Sequence, residues 1–366
     1  MSQESATRTM TPTKQILAGM NQSMTAEELA AWRVAPVERP SADERNLPSE
    51  YPFGWYGIGF GKDIEVGEVK AVRYFAKELV MWRGEDGQVR VLDAYCPHYG
   101  AHLGHGGVVK GNLIECPYHA WKWDETGAAK EVPYAERIPI LAQQAGCIPS
   151  WPVRELNGHI WMWYHPDKAE PLWEPAKFEE VDREDYTDFL IHEWNIYTGF
   201  VNFADNAVDL AHFQYLHGTQ NLPDADIELE GIKRTIIAKV QFDTPKGPVA
   251  GTIESSGYGP SQGLVQFKGI SETLVISTLT PIDRDHLKVW FAFTQPKSEA
   301  EGPRANLARA LIADLCKQVD QDKIVLDHSC GLDRPLICDG DGPLAQNRRF
   351  MGQFFVKNAP STQARE

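Results

Sequence analysis

Cys96-Pro97-His98-Tyr99-Gly100-Ala101-His102-Leu103-Gly104 and, downstream, Cys116-Pro117-Tyr118-His119 decide the reading of this chain. Each clip offers one thiolate and one imidazole within a few residues. Around them, from Tyr51 to about Pro166, runs such as Val69–Tyr74, Leu79–Trp82, Val89–Leu92 and Ile160–Tyr164 are short and rich in β-branched and aromatic residues, with turn chemistry such as Gly84-Glu85-Asp86-Gly87 between them. This pattern predicts a small antiparallel β domain, with both clips in Pro- and Gly-rich loops between strands.

Two Cys and two His, one of each per clip, are the ligand set of a Rieske [2Fe–2S] centre, in which two His replace two Cys on one iron. Cys96, His98, Cys116 and His119 are therefore the expected cluster ligands. A structural zinc site draws on the same atom types, but its clips more often pair two cysteines a few residues apart. His102 and His105 lie between the clips and are expected to be loop or surface histidines, because four ligands are already supplied. Cys147, Cys316, Cys330 and Cys338 are expected to be buried thiols.

The chain has 366 residues, enough for two or three domains, and its 42% hydrophobic and 24% charged residues are ordinary for a globular protein. It carries 36 Lys and Arg against 51 Asp and Glu, a formal charge of −15. Such a surface repels phosphate backbones, which argues against a nucleic-acid partner and suits a positively faced protein partner. No apolar run approaches the roughly 18–20 residues of a membrane span. Residues 1–15, MSQESATRTMTPTKQ, lack a basic region followed by an apolar one, so no secretory signal is read there and the expected location is cytoplasmic, with reduced thiols.

Residues 1–50 read as an N-terminal extension. In it Thr25-Ala26-Glu27-Glu28 resembles a capping box opening a helix through Trp32, and Pro36, Pro40 and Pro48 keep the following chain extended. Residues 51–166 form the cluster domain and residues 167–366 a second, catalytic domain. There Phe200–Leu216 reads as one helix. Strands are expected at Thr235–Phe242, Val249–Glu254, Leu264–Phe267, Thr273–Leu279 and Leu287–Phe293, with Asp283-Arg284-Asp285-His286 as a hairpin turn. Arg304–Leu326 reads as a long helix and Cys338–Pro343 as a tight turn. Gly57-Ile58-Gly59-Phe60-Gly61 is no dinucleotide fingerprint, because its third glycine comes one residue early and no helix follows; it reads as a turn.

A second metal signal lies in Asp205-Asn206-Ala207-Val208-Asp209-Leu210-Ala211-His212-Phe213-Gln214-Tyr215-Leu216-His217-Gly218. At about 100° per residue, Asp205, Asp209 and His212 share one face of a helix, while His217 falls about 120° from Asp205. His217 joins the others only if the helix loosens or ends, and Gly218 is a suitable stop. Two His and one carboxylate form the facial triad of non-haem Fe(II) oxygenases. Asp205 and Asp209 are local candidates for the carboxylate. Asp322 is the better one: it shares an apolar stripe with Leu311, Leu315, Val319 and Leu326, and a buried carboxylate calls for a partner such as a metal. Asp320 and Asp327 are expected to project to the opposite, solvated side.

With both motifs in view, the chain from Tyr51 onward resembles the terminal oxygenase component of the Rieske non-haem iron oxygenases. Asp205–x₃–Asp209–x₂–His212–x₄–His217 matches that family's mononuclear iron motif. The subgroup it resembles most is the 3-ketosteroid 9α-hydroxylase oxygenases with their sterol-desaturase relatives, through Tyr51-Pro52-Phe53-Gly54-Trp55-Tyr56, the Cys96–Gly104 stretch, Val132-Pro133-Tyr134-Ala135 and the Cys338–Pro343 turn. It departs from the steroid hydroxylases at Ile324–Cys330, which lacks an Ile-Trp-Glu pattern, and at Phe350-Met351, where Trp-Tyr is common.

The resemblance implies an α+β protein: an all-β Rieske domain and a catalytic domain whose antiparallel sheet wraps around helices, of the helix-grip type. It implies a mononuclear Fe(II) on His212, His217 and Asp322, and a head-to-tail homotrimer. In that ring Asp209 links His119 of one chain to His212 of the next as the inter-site electron bridge. The implied activity is O2-dependent hydroxylation of a large hydrophobic substrate, a steroid by this subgroup, with electrons from a separate NAD(P)H-dependent reductase or ferredoxin. Sterol desaturation, O-demethylation and aromatic hydroxylation use the same irons and remain alternatives. A Rieske electron carrier without oxygenase activity is another, although it would leave the second motif idle. Val265–Phe267, Leu274–Leu279 and Val289–Phe293 either line an apolar pocket or form core.

Overall fold

Short β-branched and aromatic runs become strands throughout the first half of the chain. The computed structural model describes residues 24–219, 224–242, 247–338 and 340–356. The N-terminal stretch read for a signal and Asp339 of the Cys338–Pro343 turn lie outside the described residues. Strands β1 (Gly54–Phe60), β2 (Val69–Tyr74), β3 (Lys77–Arg83), β4 (Val89–Asp93), β5 (Val108–Lys110), β6 (Leu113–Glu115), β7 (Lys122–Trp123), β8 (Ala129–Glu131), β9 (Ser150–Trp151), β10 (Val153–Leu156) and β11 (His159–Tyr164) form three small sheets. Their orders are β1-β11-β10, β2-β3-β4-β9 and β5-β6-β7-β8. The clips lie in the β4–β5 and β6–β7 loops, between strands as expected. Beneath them a small core gathers Val80, Trp82, Leu92, Leu103, Ile114, Trp121, Trp123 and Ile148.

The second half builds one seven-stranded sheet from β12 (Leu190–Ile196), β13 (Asp224–Glu230), β14 (Lys233–Phe242), β15 (Val249–Tyr258), β16 (Gln262–Lys268), β17 (Thr273–Asp283) and β18 (His286–Thr294), in the order β12-β18-β17-β16-β15-β14-β13. All strand pairs, in every sheet, are antiparallel. Asp283 pairs with His286 across the predicted hairpin. Helices α1 (Ala26–Val34), α2 (Phe200–Asn206), α3 (Ala305–Leu326) and α4 (Leu344–Gly352) complete the part used below. The α1 capping box forms: Glu28 N–H donates to Thr25 Oγ1 and Thr25 N–H to Glu28 Oε2. The α+β architecture, sheet-rich at the N-terminal end with an antiparallel catalytic sheet carrying few helices, is as expected.

One core spans both halves. Trp55, Tyr56, Trp161 and Trp163 of β1 and β11 pack in the same cluster as Leu264, Ile276, Val289 and Phe293 of the large sheet and Leu311, Ile312 and Val319 of α3. The glycine run Gly57–Gly61 is corrected by this packing. It is not a turn; β1 runs through Phe60, with a bulge between Gly57 and Gly59. Small residues are needed there because the large sheet comes close. Thr280 Oγ1 donates to Gly57 O at 2.6 Å, and a Cβ on Gly57 would lie 2.9 Å from Thr278. Of the strand segments read as pocket or core, Leu274, Val275, Ile276, Val289 and Phe293 are core, while Val265 and Phe291 are only partly buried.

Candidate active site

The two clips fold alike. Gly100 N–H donates to Cys96 O at 2.8 Å and Ala120 N–H to Cys116 O at 3.0 Å. Cys96 N–H donates to Ala101 O and Cys116 N–H to Trp121 O. Gly100 and Ala120 both adopt left-handed backbone, with φ of 73° and 55°. Each Cys therefore starts a closed loop of the same size, and the loops converge. The His98 and His119 rings sit 4.6 Å apart, with His98 stacked on Trp121. Both cysteines are buried, and burial, with a smaller push from Cys116, raises the Cys96 thiol to about 11. The Nδ1 atoms of His98 and His119 are buried and find no hydrogen-bond partner among the described residues. His105 is exposed and His102 half-buried, the latter taking the Gly104 N–H on Nδ1.

The second motif is not one helix. Helix α2 ends at Asn206, and the chain restarts where Asp209 Oδ1 accepts the N–H groups of Ala211 (2.9 Å) and His212 (3.3 Å). This capping competes with helix continuation and explains the break in the predicted Phe200–Leu216 helix. The chain then winds as a π turn, Phe213–His217, and stops at Gly218 with φ 83°. On α-helical winding, residues five apart would diverge by about 140°. The wider i→i+5 winding narrows that angle, and the His212 and His217 rings come within 4.8 Å.

Asp322 arrives from α3. Its Oδ1 lies 3.4 Å from His217 Nε2 and 3.9 Å from His212 Nε2. One donor atom from each of the three residues can be chosen so that all lie within 4.8 Å of one another. Burial pushes the Asp322 carboxyl up to about 8, with a hydrogen bond from Asn206 pulling the other way. Its Oδ1 is buried without a hydrogen-bond partner among the described residues. Burial also lowers His212, favouring the neutral ring a metal needs. The Nδ1–H of His212 meets the Asp209 main-chain oxygen at 2.7 Å, and that of His217 meets Gln321 Oε1 at 2.9 Å.

The other acids are engaged elsewhere. Asp205, a local candidate, is bound by Arg348 at 2.6 Å and by Asn347 of α4. Asp209 caps its own turn and is one-third exposed. Asp320 and Asp327 are not solvated, which corrects the sequence expectation. Asp320 takes a bidentate bond from Arg33 (2.7 and 2.8 Å) and one from Trp194. Asp327 is paired with Lys323 and accepts the Tyr197 N–H. The helix is enclosed on several faces over this turn, so a single apolar stripe underestimates its burial. The cysteine expectation is corrected too: Cys316 is buried, Cys147 intermediate, and Cys330 and Cys338 exposed on the segment between α3 and α4. Gln321 escaped the sequence reading; its one signal was its place beside Asp322.

These donor sets fit the groups the motifs imply. Two buried neighbouring thiols and two buried, unpartnered imidazole nitrogens suit a [2Fe–2S] centre with mixed ligands. Two neutral imidazoles and a buried carboxylate with an unpartnered oxygen suit a facial-triad ferrous ion.

Comparison with known proteins agrees. The Rieske [2Fe-2S] domain family matches residues 54–152, and the 3-Ketosteroid 9alpha-hydroxylase C-terminal domain family matches residues 162–355. A 3-ketosteroid-9-alpha-monooxygenase oxygenase component from Rhodococcus rhodochrous is 32% identical over 343 residues, covering 87% of this chain and 88% of the relative. Cholesterol 7-desaturase nvd 1 of Ciona intestinalis is 28% identical over 341 residues, covering 86% of this chain and 71% of the relative. Dicamba monooxygenase bound to dicamba shares the fold, with a TM-score of 0.65 at 19% identity over 82% of this chain and 96% of that one. The chain belongs to the 3-ketosteroid 9α-hydroxylase family of Rieske non-haem iron oxygenases, and is a Rieske-type oxygenase whose cofactors are a [2Fe–2S] cluster and a mononuclear iron.

Proposed function

We propose that this chain is the terminal oxygenase component of a steroid monooxygenase. In this reading Cys96, His98, Cys116 and His119 hold the cluster, and His212, His217 and Asp322 hold the mononuclear iron. The observation that carries it is the convergence within 4.8 Å of two imidazoles and one buried carboxylate, whose Oδ1 has no hydrogen-bond partner among the described residues, in a chain that also folds two Cys/His clips. The steroid substrate is supported by what the relatives are named for. The bound metals supply one-electron delivery at the cluster and oxygen activation at the triad. The protein's own residues do the rest. Asp209 and Gln321 orient the two histidines, and the fold keeps the His217 side chain from water.

Electrons come from a separate NAD(P)H-dependent reductase or ferredoxin, since the chain shows no dinucleotide fingerprint. No described helix is long and apolar enough to cross a membrane. Three copies closing head to tail bring His119 of one chain to Asp209 of the next. Both groups are partly exposed in the single chain, and Tyr99 and Tyr118 beside the cluster histidines are largely exposed, as a contact face requires. Desaturation is the second reading, favoured by the cholesterol 7-desaturase relative.

The test is anaerobic purification, an iron count and reductase-driven oxygen uptake with 3-ketosteroids. We expect about three irons per chain, and about two in Asp322→Ala with the cluster absorbance intact. Product analysis separates a hydroxylated from a desaturated steroid. A protein that carries only zinc, or an Asp322→Ala variant with full iron, overturns the assignment.

A further inference from the structure

We infer that Gln321 is a positioning residue for the mononuclear metal: its Oε1 takes the Nδ1 proton of His217 and fixes the tautomer that turns the Nε2 lone pair to the ion. The inference rests on the reading of His212, His217 and Asp322 as ligands. A neutral imidazole has one N–H and one lone pair, and only the lone pair binds a metal. His217 Nδ1 lies 2.9 Å from Gln321 Oε1, and its Nε2 lies 3.4 Å from Asp322 Oδ1. An amide oxygen only accepts, so it selects the Nδ1–H form. An amide turned the other way would donate to Nδ1 and leave the proton on Nε2, facing the carboxylate.

Gln321 is buried, in the same turn of α3 as Asp322. One helical turn therefore supplies a ligand and orients a second. The two histidines differ in this respect. His212 is oriented by a main-chain carbonyl, the Asp209 oxygen, which no substitution removes. For His217 the orienting acceptor is a side chain. The amide is also neutral, so it orients the ring without adding a second buried charge beside Asp322.

The experiment is an anaerobic Co(II) titration of protein stripped of mononuclear iron by a chelator, with the cluster absorbance as the folding control. Gln321→Met keeps the length and removes the acceptor. We expect its affinity to fall about 10–100-fold, while Gln321→Glu, which keeps an acceptor, recovers most of it. The visible Co(II) bands give an independent readout. A carboxylate acceptor strengthens donation by Nε2 and shifts the bands in Gln321→Glu, whereas a residue that only packs leaves them in place. Wild-type affinity in Gln321→Met, or unmoved bands and no recovery in Gln321→Glu, overturns the inference. A wild-type protein that binds no Co(II), or a His217→Ala variant that binds it normally, instead overturns the ligand reading itself.

Discussion

His159 shows how far a single side chain can be committed by its surroundings. It packs against Phe60 and Trp161, its Nδ1 meets the Asn157 carbonyl at 2.8 Å, and burial holds its pKa down at about 4. His286, stacked on Tyr197, is lowered to about 4 in the same way. The folded form keeps both rings neutral while the unfolded chain protonates them near 6.5, so unfolding takes up protons between about pH 6.5 and 4. Their contribution is complete above that window and is lost as pH falls through it. Urea midpoints should therefore drop from pH 7 to pH 4.5, and His159→Phe should flatten that slope in part, since His286 remains. A slope unchanged by the substitution would show that His159 is not among the groups responsible. The proposed metal donors were legible at this same scale because Cys and His carry their chemistry in their identity. Gln321 was not: an amide announces nothing until its partner is placed.

Secondary elements set the register between donors. The loop joining the clips passes through Gly107, where a Cβ would lie 2.1 Å from the Leu103 carbonyl oxygen and 3.2 Å from that of Glu115. Backbone atoms on two sides cannot yield as a side-chain tip would. Gly107→Ala should displace one clip from the other and lower the cluster absorbance and iron content, while the mononuclear site still binds Co(II). Normal cluster loading in that variant would mean the loop adapts. Element boundaries in the catalytic half were less legible. The absence of Pro and Gly supported one helix over 200–216, but Asp209 can cap as well as continue, and the choice went to the cap and the π turn. The long helix was read nearly to its ends, because a sustained pattern of burial leaves its period in the sequence, but β12 and β13 were not read as strands, and β15 and β17 run on to Tyr258 and Asp283, beyond the expected ends at Glu254 and Leu279.

For the whole molecule, the proposed ring makes a prediction that a single chain cannot. Asp322→Ala chains keep a cluster but lack the mononuclear site, and Cys116→Ser chains have the reverse defect. If electrons cross between subunits, mixed assemblies refolded or co-expressed from the two should regain activity that neither has alone. A native mass of one chain, or mixtures as inactive as their parents, would remove the ring. The N-terminal extension belongs to this scale as well. Arg33 of α1 reaches Asp320, 287 positions away, and Lys323 Nζ lies over the Trp32 ring, so the helix in the segment read as an N-terminal extension grips the turn that carries Asp322.

The sequence by itself determined the candidate donors and the chemistry they offer: two Cys/His clips, a His pair and an acid on an apolar stripe. Covalent spacing and residue identity suffice for that. Only the tertiary structure decided which acid serves which partner. Asp205 went to Arg348, Asp320 to Arg33 and Asp327 to Lys323, leaving Asp322 with an oxygen that has no hydrogen-bond partner among the described residues and lies beside two imidazoles. The reason is physical. A buried charge must find a counter-charge or a metal, and those partners come from remote parts of the chain that meet only when it folds.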